Sequence, residues 1–120
     1  KEGGAAVTGF VSGAKGTIAT GKGLAVFSDN ITTADNSTVT AAEMETYLGA
    51  TAVFFNGATG DSVYIVMDNG VNTFVVKITE GADGTNKQFD VADDSFELIM
   101  VLTGVDNAAT LTAASFADFS

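Results

Sequence analysis

The side chains of this chain that could carry chemistry are almost all oxygen donors. Fifteen Asp and Glu residues stand against five Lys, with no His, Cys, Trp or Arg, for a formal charge of −10. Without His, no side chain has an ordinary pKa near neutrality with which to relay a proton. Without Cys there is neither a thiolate nucleophile nor a disulfide, and zinc lacks its usual nitrogen and sulfur ligands. Two uses of the carboxylates remain. A pair facing each other across a cleft could hydrolyse a glycosidic bond. Sugar clefts usually draw on aromatic platforms, however, and Tyr47 and Tyr64 are the polar aromatics present, so a carbohydrate-active enzyme or lectin is the remote alternative. A cluster of carboxylates could instead hold a hard cation. Calcium is the natural candidate, since it takes roughly six to eight oxygen ligands from Asp, Glu, Asn, carbonyls and water.

The richest oxygen segment is Glu80-Gly81-Ala82-Asp83-Gly84-Thr85-Asn86, running on to Asp90, Asp93 and Asp94. From it we take Asp83, Asn86, Asp90, Asp93 and Asp94 as candidate calcium ligands. The match to a helix-loop-helix calcium loop is partial. With Asp83-Gly84 at its fifth and sixth positions, Thr79 and Gly81 fall at the first and third, where carboxylates are usual. Asp29, Asn30, Asp35 and Asn36 form a second loose oxygen-rich loop. The tandem Gly-rich nonapeptide calcium repeat is absent, and Gly57-Ala58-Thr59-Gly60-Asp61 misses its register by one residue. Asn30-Ile31-Thr32 and Asn36-Ser37-Thr38 fit the glycosylation acceptor pattern, which we read as coincidence in a Thr-rich loop.

The elements that must position these residues read as mainly β. Residues 23–28 (GLAVFS), 51–55 (TAVFF), 61–67 (DSVYIVM), 72–79 (NTFVVKIT) and 96–103 (FELIMVLT) are β-branched and aromatic runs, bounded in most cases by Gly, Asn and Asp, the punctuation of strands. A weaker strand lies near Val7, Phe10 and Val11. Asp68-Asn69-Gly70-Val71 should turn a hairpin, pairing 63–67 antiparallel with 73–78, because Asn and Gly tolerate the positive φ of tight turns. VYIVM is apolar on both alternating faces, so that strand should be covered on both sides by the helix, a second sheet or another subunit. Thr40-Ala41-Ala42-Glu43 is a capping box. It starts a helix over 41–48 that carries Met44, Tyr47 and Leu48 on one face and ends at Gly49. In the tail, Thr112 to Ser115 suggest a helical turn, with Leu111, Phe116 and Phe119 as apolar anchors.

The expected fold class is therefore α+β, mainly β: about six strands in one or two antiparallel sheets with one short helix at 41–48. Residues 1–120 read as one β-rich domain, whose Gly-rich segment 1–22 is either flexible or exchanged with a neighbour. The chain begins at Lys1 without Met or a basic-then-apolar leader, as in a processed chain or a fragment. No apolar run approaches the roughly 18–20 residues of a membrane-spanning helix. Lys1, Lys15, Lys22, Lys77 and Lys87 are scattered singly, whereas phosphate binding needs clustered cations, so neither nucleic acid nor an anionic membrane is an expected partner.

The second half of the chain resembles the carboxyl-terminal modules of RTX-like bacterial proteins exported by type I secretion, among them adhesins and surface-layer proteins. The likeness spans residues 61–119. Val63-Tyr64 followed by Asp68-Asn69-Gly70 and Thr73 carries it, as does Leu102-Thr103-Gly104-Val105 with Leu111, Ala114, Phe116, Asp118 and Phe119. That resemblance implies an extracellular or cell-surface protein, often one that folds on calcium after export. The missing nonapeptide repeats depart from it. A chain of this charge suits export unfolded, because self-repulsion opposes compaction where calcium is scarce. The expectation is a non-catalytic structural module at the end of a secreted bacterial surface or adhesin protein, serving export, capping or assembly. Its partners are copies of itself or domains of its parent. The alternative is a subunit that polymerises into an extracellular filament or surface layer.

Overall fold

The computed structural model describes residues 10–16, 23–51, 53, 60–81, 88–112 and 115. Among them, β1 (Phe10–Gly13), β2 (Leu24–Phe27), β3 (Ser62–Asp68), β4 (Thr73–Thr79) and β5 (Ser95–Leu102) form one sheet in chain order, accompanied by helix α1 (Ala41–Leu48) and a 3-10 turn at Ala108–Thr110. The chain is mainly β, as its composition implies. The sheet is mixed: β1 pairs with β2 and β2 with β3 in parallel, while β3–β4 and β4–β5 are antiparallel. This corrects the expected six-strand antiparallel arrangement to five described strands in one sheet. The reason is physical. Every residue of β2 is buried, the signature of a strand covered on both faces, and the stretch between β2 and β3 carries α1, which returns the chain to start β3 in the same direction.

The expected hairpin forms. Val63 lies opposite Ile78 and Met67 opposite Phe74, with Asp68–Thr73 as the last pair. Its turn is wider than a two-residue one, closing through Asn69 N–H to the Asn72 carbonyl at 3.1 Å. Gly70 alone in this turn has positive φ, at 86°, a conformation that a Cβ would strain. The run at 51–55 departs from expectation, since Thr51 and Val53 lie outside any strand and the rest of it lies outside the described residues. Val53 is fully buried as a loop residue.

Both sheet faces are covered. On one, Ala25, Phe27, Ile65, Met67, Phe74 and Val76 meet Met44, Tyr47 and Leu48 of α1, together with Ile31 and Val39 from the connecting loop. Burying each of the Val, Leu, Ile, Phe and Met side chains among these contributes about 1.5–3 kcal/mol. On the other, Leu24, Val26, Val66 and Val75 lie under Ala108, with Leu111 packed alongside. The two-faced apolar pattern of β3 is thus met by the helix on one side and the segment after β5 on the other. Phe116 and Phe119 lie outside the described residues, while Ser115 N–H donates to the Thr112 carbonyl at 2.9 Å, closing the expected turn there.

α1 begins as its sequence implies. Thr40 Oγ1 accepts from Glu43 N–H at 3.2 Å, and Glu43 Oε1 accepts from Thr40 N–H at 2.8 Å, so two otherwise open amides are satisfied reciprocally. Gly49 closes it with an N–H donated to the Glu45 carbonyl at 2.9 Å. β5 holds a feature that simple alternation misses. Its register shifts opposite Val75 and Val76, so Phe96, Leu98 and Val101 all pack on the helix side despite their uneven spacing, as a β-bulge allows.

Candidate functional site

Of the candidate calcium ligands, Asp83 and Asn86 lie outside the described residues. The other three share a loop before β5, where the carboxylates of Asp90 and Asp94 and the Asp90 carbonyl serve the backbone. Asp94 Oδ1 accepts from Gly81 N–H and its Oδ2 from Asp90 N–H, each at 2.8 Å. Asp90 Oδ1 accepts from Ala92 N–H at 2.9 Å, and the Asp90 carbonyl accepts from Asp94 N–H at 2.8 Å. Asp93 is exposed. Among the described residues, no group of three or more acidic side chains is gathered as a metal cage. The loop approaches Gly81 so closely that a Cβ there would lie 1.7 Å from the Asp93 carbonyl oxygen.

The second oxygen-rich loop is used in the same manner. Asp35 Oδ1 accepts from both Ser37 N–H at 2.8 Å and Ser37 Oγ–H at 2.7 Å, and the Ser37 side-chain bond, followed by the backbone one, holds this carboxyl below its usual range. Glu43 is also lowered, first by the Thr40 amide and then by the Ala34 amide. Asn36 offers its carbonyl to Asn72 Nδ2 at 2.9 Å.

That last bond belongs to a polar junction that residue types alone did not reveal. Asp68 is 2% exposed. Its Oδ1 accepts from Gly70 N–H at 2.9 Å and its Oδ2 from Ala108 N–H at 2.8 Å, while its carbonyl accepts from Ile31 N–H at 2.8 Å. Asn69 donates to Thr33 Oγ1 at 2.9 Å, Asn72 Oδ1 accepts from Gly104 N–H at 2.8 Å, and Thr73 Oγ1 donates to the Val105 carbonyl at 2.7 Å. One hairpin turn therefore pins both the loop before α1 and the segment after β5. The available signal was an Asp-Asn-Gly turn followed, after Val71, by Asn72 and Thr73, a denser set of short polar side chains than a turn needs.

Beside α1 an open groove of about 470 Å³ is lined by Lys15, Asn30, Thr32, Ala42, Glu43, Thr46 and Tyr47. Tyr47 donates its hydroxyl to the Asp29 carbonyl at 2.7 Å, and burial, with the charges of Asp29 and Asp68, pushes its pKa far above the ordinary tyrosine value. It stays a neutral hydrogen-bond donor across physiological pH and is no base. Lys15 Nζ donates to the Tyr47 carbonyl and sits 4.5 Å from the Tyr47 ring centroid, while its backbone N–H donates to Asp29 Oδ2.

The remaining feature is the sheet's far edge. β5 is the outermost described strand on its side. Phe96, Leu98, Ile99, Val101 and Leu102 along it are partly exposed, and Met100 is 39% exposed. Glu97 is the strand's one charge. Edge strands are normally blunted by charge, Pro or brevity, and this one is eight residues long.

No family model, curated protein or solved structure matches the chain. No helix among the described residues is long and apolar enough to cross a membrane.

Proposed function

We propose that this chain is a non-catalytic structural module of a secreted bacterial surface or adhesin protein, and that it assembles with copies of itself through the outer edge of β5. The observation that carries the reading is that edge: a long, apolar, thinly charged strand with no further strand beside it among the described residues, whose outward backbone groups a strand from another copy can extend. The polar side chains support it. Asp35, Asp68, Asp90, Asp94, Glu43 and Asn69 each hold backbone amides in place, which is the work of a scaffold. Placement outside the cell rests on the resemblance to RTX-like terminal modules and on the acidic, Cys-free composition.

Calcium enters the proposal as a structural ion on the loop of Asp83, Asn86, Asp90, Asp93 and Asp94. The described part of that loop offers it the exposed Asp93 carboxylate and the outer lone pairs of Asp90 and Asp94.

The geometry separates two forms of assembly. β5 against β5 of a second copy is isologous and closes as a dimer, whereas β5 against β1 of the next copy leaves both ends open and propagates as a filament. Sedimentation velocity over a wide concentration range distinguishes them, as one dimer boundary or an open series. Met100→Lys, which places a charge on the edge, should hold the protein monomeric at concentrations where the parent associates. A parent chain that stays monomeric throughout overturns the proposal.

A further inference from the structure

We infer that the groove beside α1 binds a short uncharged glycan. This site lies at the β1 end of the sheet, away from β5, and does not rest on the assembly reading. Its volume of about 470 Å³ falls within the range of about 300–1,000 Å³ typical of small-ligand sites.

The lining separates into groups already occupied and groups still open. Glu43 spends one carboxylate oxygen on Thr40 N–H and the other on Ala34 N–H at 2.7 Å. Tyr47 spends its hydroxyl on the Asp29 carbonyl. The side chains of Asn30, Thr32 and Thr46 are exposed, and none makes a hydrogen bond among the described residues. An amide and two hydroxyls, each both donor and acceptor, thus surround one concavity. The Lys15 ammonium, anchored by the Tyr47 carbonyl and the ring, retains two further N–H donors.

Charge then narrows the ligand. Lys15 is the groove's cation and Glu43 its anion, so the wall is neutral as a whole. A cation would meet the Lys15 ammonium, and an anion must approach through the field of a chain whose formal charge is −10. An uncharged ligand rich in hydroxyls matches the open donor–acceptor groups and meets neither penalty. The exposed Ala42 side chain supplies a small apolar wall against which the C–H face of a sugar can rest.

The test is an NMR titration of the full chain, following backbone amides as maltotriose, cellotriose or diacetylchitobiose is added, with sialyllactose as the charged comparison. At least one neutral sugar should shift the amides of Lys15, Asn30, Thr32 and residues 42–47 in a saturable manner. Asn30→Ala and Thr46→Ala, whose wild-type side chains are exposed, should each weaken that binding at least about tenfold at unchanged Tm, and Thr32→Val is a third such probe. The inference is overturned if no neutral sugar moves these amides, if sialyllactose alone does, or if the variants bind as the parent does.

Discussion

Replacing Asp68 tests how the fold is held. Its carboxylate is 2% exposed and accepts from two backbone amides, those of Gly70 and Ala108. The two losses differ. Gly70 lies at an exposed turn and its N–H can be rehydrated, whereas Ala108 is fully buried, so its amide would be stranded at a cost of about 1–3 kcal/mol. With the loss of a charge-assisted bond to Gly70, Asp68→Ala should cost about 2–4 kcal/mol. That is a large share of the roughly 5–15 kcal/mol by which domains are stable, and it should lower Tm by roughly 6–20 °C. Asp68→Asn is the sharper variant. It keeps the shape but has one acceptor oxygen, so its NH2 must confront either Gly70 N–H or Ala108 N–H. We expect at least about 1 kcal/mol of destabilisation, read by urea unfolding followed by circular dichroism. An Asn variant that unfolds with the wild-type midpoint would refute the claim that both oxygens are needed as acceptors.

Further outcomes follow from the loops. Gly81→Ala would place a Cβ 1.7 Å from the Asp93 carbonyl oxygen, so the loop before β5 must move; a loss of at least about 2 kcal/mol is expected, and an unchanged melt would contradict the close approach. Glu43 is held below its usual value of about 4.3 chiefly by the Thr40 amide, so its stabilisation is full above that value and fades as pH falls through the lower, folded one. Glu43→Gln should therefore flatten the fall of Tm between about pH 5 and pH 3, and an identical acid limb would count against the capping contact. Bound calcium should raise Tm by mass action, so melts with calcium and with chelator at matched ionic strength should separate, and coincident curves would remove the ion from the account.

Much of the fold was legible in local chemistry. The capping box of Thr40 and Glu43, the apolar face of α1, the strands at β2, β3, β4 and β5 and the antiparallel hairpin all stand where residue pattern places them. Strand direction was not legible, because a short apolar run such as Leu24–Phe27 states that it is buried and leaves open which way its neighbours run. The bulge in β5 was hidden for a related reason: Phe96, Leu98 and Val101 share a face although alternation would put Val101 opposite the other two. The candidate site was less legible still. Acidic residues close in sequence suggested a cation, yet Asp90 and Asp94 turn their oxygens to nearby amides, a choice set by loop geometry. Asp68 drew notice as a turn residue, and its burial depends on contacts with Ile31 and Ala108 that no local window contains.

The central claim, that β5 is an assembly edge, is tested most directly by hydrogen exchange of its amides as a function of protein concentration. Protection across residues 95–102 should rise on concentration, and Met100→Lys should abolish the rise. Exchange in β5 that is independent of concentration, in a chain that remains monomeric, would contradict the account.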